Sequence, residues 1–336
     1  MNNINNFQRK IKYKWKILVS FFLAILFLIG CNSKPKVYHV GIVTCINYFA
    51  SISDGFKEGM AKLGYVENKN IFYDIKKLPE EVESEVQQII ENFIAEKVDL
   101  IVVAPTVTAL KTKAVTMKSG IPVVFAAAFT DGNDLVESVR QPGGNITGVR
   151  WPSSAEIAIK AIEVLHQMMP QVKRVWVGIQ KDYTTIQFRI DTLRSAVELS
   201  GIALVEVPFR NVEDIRTDLD TRSKSGDIGL DAFFLMGASL ASSGEGFAII
   251  TGFALRHKIP VIGPNSDITI LSLKPEAYKS GKQSAYLADK ILKGTPAGTI
   301  PVLTLENTLK INYRAIQKMG WHINENILNQ ADEIIR

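Results

Sequence analysis

The chain has 336 residues, 46% of them hydrophobic, with 39 Lys and Arg against 34 Asp and Glu for a formal net charge of +5. Five cations (Arg9, Lys10, Lys12, Lys14, Lys16) stand in the first 30 residues, which hold no acidic side chain, so they account for the whole excess. The remainder is formally neutral, which argues against a nucleic-acid surface, and it is long and apolar enough for two domains of ordinary size.

The five cations precede an apolar run from Ile17 to Ile29, interrupted only by Ser20, and polar residues begin again at Asn32. A basic start, a short apolar stretch and a small residue read as an export signal. The run is too short to span a roughly 30 Å hydrocarbon layer comfortably. Leu28-Ile29-Gly30-Cys31 resembles the lipobox of a bacterial lipoprotein signal, which implies cleavage before Cys31, a lipid on its thiol and a membrane-anchored protein facing the extracytoplasmic side. Cys45 is the only other cysteine, so the exported chain has no internal disulfide; Cys45 reads best as a small buried hydrophobe.

Beyond the linker, β-rich apolar runs alternate with helical patterns. Strands are expected at Val37–Val43, Asn70–Asp74, Leu100–Val103, Pro122–Phe125 and Ile146–Val149, then at Arg174–Gly178, Ala203–Val207, Ala232–Leu235 and Pro260–Ile262. The spacing Ile52, Phe56, Met60, Leu63 before Gly64 predicts a helix, as does Val82, Val86, Ile89, Ile90, Phe93. Ala158, Ile162, Leu165 and Leu193, Val197 predict two more. The acidic run Glu80, Glu81, Glu83, Glu85 reads as a solvated helix start. Strands apolar throughout, alternating with helices, give an α/β fold with parallel sheets covered on both faces. Two such series imply two doubly wound lobes with a ligand cleft between them, the series parting near Gln141-Pro142-Gly143-Gly144-Asn145.

No nucleotide-binding glycine motif, nucleophile elbow or metal-ligand spacing occurs, and His39, His166, His257 and His322 are scattered; no catalytic residue, metal or cofactor is expected. What remains at strand ends is binding chemistry. Thr44, Asn47 and Tyr48 follow the first strand. Thr106 follows the third as a helix N-cap, and Phe129 and Asp131 follow the fourth. Tyr183, Ser239 and Asp267 follow strands of the second lobe. These are the candidate ligand residues, with hinges expected near Gly148-Val149 and Gly263-Pro264.

The mature chain resembles the substrate-binding proteins of ABC transporters, in the type I periplasmic-binding superfamily, within the tryptophan/tyrosine-transporter-binding-like group. The resemblance lies in Asp54-Gly55-Phe56-Lys57-Glu58-Gly59-Met60, Ile121-Pro122-Val123-Val124-Phe125 and Pro142-Gly143-Gly144-Asn145-Ile146-Thr147-Gly148-Val149. It continues through Arg256–Val261, Ala288–Gly294 and Ala331–Ile335. It implies crossed connections: a signal over 1–30, a lipidated linker over 31–36, a first lobe over 37–149 plus about 267–300, and a second over 150–266 plus about 301–336. It further implies capture of a small polar solute, an amino acid among the possibilities, and an ABC permease as partner. The Phe129-Thr130-Asp131-Gly132 and Met236-Gly237-Ala238-Ser239 loops depart from those of relatives that bind aromatic amino acids. Two alternatives use the same cleft: a lipid-anchored sensor with a signalling partner, and an enzyme with Cys45 or Asp131 as its reactive group.

Overall fold

The computed structural model describes residues 36–181, 186–197, 201–236, 239–242, 244–263 and 268–336. Cys31, Tyr183 and Asp267, named above, lie outside the described residues, as do Gly237, Ala238 and Pro264.

Two sheets divide the chain. The first begins with strand β1 (Tyr38–Cys45), helix α1 (Ile52–Lys62), β2 (Ile71–Leu78) and α2 (Glu83–Ala95). It continues with β3 (Leu100–Ala104), α3 (Thr106–Thr116), β4 (Val123–Ala128) and β5 (Ile146–Arg150). Every residue of β3 and β4 is buried, as expected of central parallel strands. The two-residue period of β1 sends Val40 and Ile42 into the core that also holds Phe56 and Met60 of α1, and Val43 and Cys45 into the opposite core with Val86, Ile90 and Phe93 of α2.

The second sheet follows α4 (Ser154–Met168) with β6 (Arg174–Gln180), α5 (Ile186–Val197), β7 (Ala203–Phe209) and α6 (Val212–Ser223). Then come β8 (Ala232–Phe234), α7 (Gly244–His257), β9 (Val261–Ile262) and β10 (Leu271–Lys274). Val175 and Val177 of β6 face one core and Trp176 the other, again by strand alternation.

The chain then returns. Helix α8 (Ala277–Leu292) packs on α1, and β11 (Leu303–Thr304) pairs with β5; β12 (Thr308–Asn312), α9 (Tyr313–Met319) and β13 (Glu333–Ile335) complete the second lobe. The strand orders are β11-β5-β4-β3-β1-β2 and β13-β12-β10-β9-β8-β6-β7. All pairs in the first sheet are parallel, and in the second only β10–β12 is antiparallel. The fold is α/β, two parallel-dominant lobes with a cleft between them.

Three short segments connect the lobes: 151–153, 275–276 and 305–307. They correct the expected crossover points. The return falls after Lys274 rather than near Asp267, because β10 is hydrogen-bonded between β9 and β12. Leu303–Thr304, assigned to the second lobe, pair with Val149 and Arg150 of the first. Gly148 and Val149 are likewise not hinge residues: both are held in the ladder with β4, and Gly148 packs against Phe125.

The α1–α8 contact explains one of the sequence motifs. A Cβ on Gly55 would overlap the Tyr278 carbonyl oxygen, one on Gly281 would overlap that of Ile52, and one on Gly59 would stand 2.6 Å from the Ala285 Cβ. The two glycines of Asp54–Met60 thus let the returning helix lie almost backbone to backbone on the first lobe.

Candidate functional site

Each sheet reverses its winding direction between two strands: β1 and β3 in the first, β6 and β8 in the second. Loops leaving the carboxyl ends of such strands diverge and leave a crevice. The crevices of both lobes merge into one cavity of about 690 Å³, within the range of small-molecule sites.

The first-lobe wall is aromatic. A short 3₁₀ turn after β1 (Asn47–Phe49) brings Tyr48 and Phe49 against Trp151, the residue that follows β5. The three rings stand edge to face at centroid distances of 5.1, 6.0 and 5.6 Å, the arrangement favoured by ring quadrupoles. Phe129 joins the wall and is 49% exposed in the open cavity. Its loop is steered by a bulge in β4, where Ala127 takes φ 64°. Ile46, at the start of the Tyr48 loop, has φ 67°. Positive φ is uncommon for any residue but glycine and costliest for a β-branched one such as Ile46, so both cleft loops hold a residue whose backbone its surroundings enforce.

The second-lobe wall is mostly aliphatic: Ile157, Ala158 and Ala161 from one face of α4, Met236 after β8, and Leu271 and Leu273 from β10. Polar groups are few. Ser154 and Thr106 supply hydroxyls, and Lys274 is the only charged side chain among the described lining residues. Tyr48 spans the lobes, its hydroxyl donating to the Pro275 carbonyl at 3.0 Å. Burial, reinforced by Glu276, pushes the Tyr48 phenol above its ordinary range.

Of the candidate residues, Tyr48, Thr106 and Phe129 line the cavity. Thr106 does so without capping: Pro105 occupies the N-cap, and the Thr106 hydroxyl accepts from the Phe129 backbone N–H at 3.0 Å. The first turn of α3 is served instead by Glu81, which accepts from the Thr108 N–H at 2.7 Å and from its hydroxyl at 2.5 Å. Glu83, of the same acidic run, pairs with Lys111 on α3 at 2.9 Å. Glu81 is thus bound to the neighbouring helix, whereas Glu83 and Glu85 stand exposed in the first turn of α2, as expected of a solvated helix start.

The other candidates stand elsewhere. Thr44 is buried within the sheet, 1% exposed, and its hydroxyl has no partner among the described residues. Asn47 is exposed at the start of the 3₁₀ turn. Asp131 is exposed and acts electrostatically on Arg150 rather than facing the cavity. The Ser239 hydroxyl donates to the Met236 carbonyl at 3.1 Å, closing its own loop. Cys45, a reactive-group candidate of the enzyme alternative, is fully buried on the α2–α3 side, where burial pushes its thiol up and away from the reactive thiolate.

Sequence reading missed Trp151 and Lys274. Trp151 stands two residues past the expected fifth strand, and Arg150, which extends β5 by one residue, places it at the strand end. Lys274 ends a four-residue strand too short to be recognised by alternation.

The chain belongs to the ABC transporter substrate-binding protein family, whose model matches residues 40–335. The curated Tyrosine-binding protein of Clostridioides difficile (strain R20291) is 24% identical over 314 residues, 87% of each chain. The ligand-free, open structure of a substrate binding protein with adhesive properties from Clostridium difficile is 21% identical, with TM-score 0.73 over 88% of this chain and 99% of that one. An ABC domain from Streptococcus pneumonia in complex with L-Trp is also 21% identical, with TM-score 0.56 over 89% of this chain and all of that one.

Proposed function

We propose that this protein is an extracytoplasmic, lipid-anchored receptor that captures a small amino acid-like solute between its lobes and hands it to an ABC permease, without chemistry of its own. The observation that carries this is the cavity of about 690 Å³ walled by both lobes, aromatic on one side and, apart from Phe234, aliphatic on the other. Such a lining suits an amino acid with a ring or branched side chain, in keeping with the tyrosine and tryptophan named for the relatives. Because both walls contact a bound solute, ligand stabilises the closed arrangement by its differential affinity, and the three short connections are the segments that turn. Among the described residues no helix is long and apolar enough to cross a membrane; the anchor rests on Cys31 and its lipobox.

The test is a thermal-shift and calorimetric screen of the mature protein against amino acids, sugars, nucleosides and small acids. A true ligand at 100 times its Kd should stabilise the fold by about 2.7 kcal/mol. The expected hits are apolar or aromatic amino acids and their close analogues. Binding of sugars or nucleosides alone would overturn this reading of the solute.

A further inference from the structure

Lys274 has no role in the fold as described. It is exposed at the end of β10, and among the described residues its side chain makes no hydrogen bond or ion pair. Nearby cations differ. Lys310, on the paired strand β12, binds Glu333 at 3.0 Å, and Lys279 binds Asp332 at 2.7 Å. Arg150, at the neighbouring lobe connection, is bidentate to Glu156 at 2.5 and 3.1 Å. Lys274 alone of these is uncommitted, and it is also the one that lines the cavity.

Its position is fixed from both directions. Thr308 pairs with it in the ladder, and the next residue, Pro275, accepts the Tyr48 hydroxyl from the opposite lobe. Lys274 therefore stands where the aromatic wall meets the second lobe. The side chain is exposed on the cavity, and an anion entering between the apolar walls would gain a charge-assisted hydrogen bond from it. The nearest acid in sequence, Glu276, shares with Lys274 only a shallower depression outside the main cavity and forms no ion pair with it.

Building on the receptor reading above, we propose that Lys274 is the specificity-determining residue for the anionic end of the solute: it pairs with a carboxylate while the aromatic wall takes the apolar body. The solute class is then an apolar or aromatic monocarboxylate, and the neutral amide or ester of the same molecule is discriminated against at this residue.

The test is a double-mutant cycle by calorimetry on the mature chain. Four amino acids are the probes (L-tyrosine, L-tryptophan, L-phenylalanine and L-leucine), each compared with its carboxamide. The tightest-binding acid should lose about ten- to a hundredfold in affinity on conversion to its amide, the worth of a hydrogen bond to a charged group. Lys274→Met should cost the acid a similar factor and the amide little, and Lys274→Arg should recover most of the acid's affinity. Equal losses for acid and amide in Lys274→Met, or no loss in either, would overturn the assignment while leaving the receptor reading intact. If no probe binds wild type but another class of molecule does, the amino acid reading fails, and the assignment with it. Melting temperatures of both variants within a few degrees of wild type would show that the fold is not what is being measured.

Discussion

At the residue scale, the aromatic wall has a sharp energetic signature. Trp151 contacts both Tyr48 and Phe49 edge to face and lines the cavity. Trp151→Ala removes one ring from two such pairs and from the ligand's own surroundings. Affinity for the tightest ligand should fall by about tenfold or more, read by calorimetry or by loss of the ligand-dependent change in tryptophan fluorescence. Gly281 makes the opposite kind of prediction. Gly281→Val forces a side chain into the space occupied by the Ile52 carbonyl. It should cost about 1–3 kcal/mol of stability, seen as a lower urea midpoint, and change ligand affinity little in the folded fraction.

At the scale of elements, the start of α4 links the two lobes. Ser153 and Glu156 form a capping box, the Ser153 hydroxyl accepting from the Glu156 N–H and the Glu156 carboxylate accepting from the Ser153 N–H at 2.8 Å. The same carboxylate receives Arg150 of β5, whose Nε also donates to Thr304 of β11 at 3.0 Å. One guanidinium thus joins a strand of the first lobe, a helix of the second, and the start of a third connection. The Arg150 hydrogen bonds hold the Glu156 carboxyl below its usual range against the opposing effect of burial, and Ser153 adds to the lowering. A carboxylate with a depressed folded pKa contributes stability above its unfolded value of about 4.3 and loses it as pH falls through the folded value. Wild type should therefore lose more stability than Glu156→Gln between pH 6 and pH 3, a difference measured by urea titrations at both pH values. Parallel curves for the two proteins would remove this role from Glu156.

At the scale of the whole molecule, the proposed capture mechanism requires one lobe to turn on the other about the three short connections. Small-angle scattering should show a smaller radius of gyration when the ligand found by screening is added, and no change with a non-binding analogue. Anchoring gives a second expectation. If Leu28–Cys31 is the lipobox proposed above, Cys31→Ser should abolish fatty-acid labelling in a bacterial host, because that segment presents no other acyl acceptor. Equal labelling of mutant and wild type would dispose of the anchor.

The sequence by itself determined the fold class and most of the element positions, because strands buried on both faces are apolar throughout and cannot be mistaken for amphipathic ones. All nine expected strands are present within a few residues of their predicted limits. It also determined which chain ends face the cleft, since right-handed crossovers put the loops after strand carboxyl ends on one edge; Tyr48, Thr106 and Phe129 followed from that rule. Tertiary structure alone decided which loop residues reach the cavity. Asn47 and Tyr48 are adjacent, yet the 3₁₀ turn leaves one in solvent and aims the other at Trp151, and Phe129 lines the wall while Asp131, two residues on, is exposed outside it. The return path was equally hidden. Strands β10 and β11 have four and two residues, too few for any periodicity, and they exist only because a neighbouring strand, 34 or more residues away in the case of Thr308 and Lys274, supplies their hydrogen bonds. Lys274 reads as an ordinary surface lysine in the sequence because its setting is made by residues from the opposite lobe.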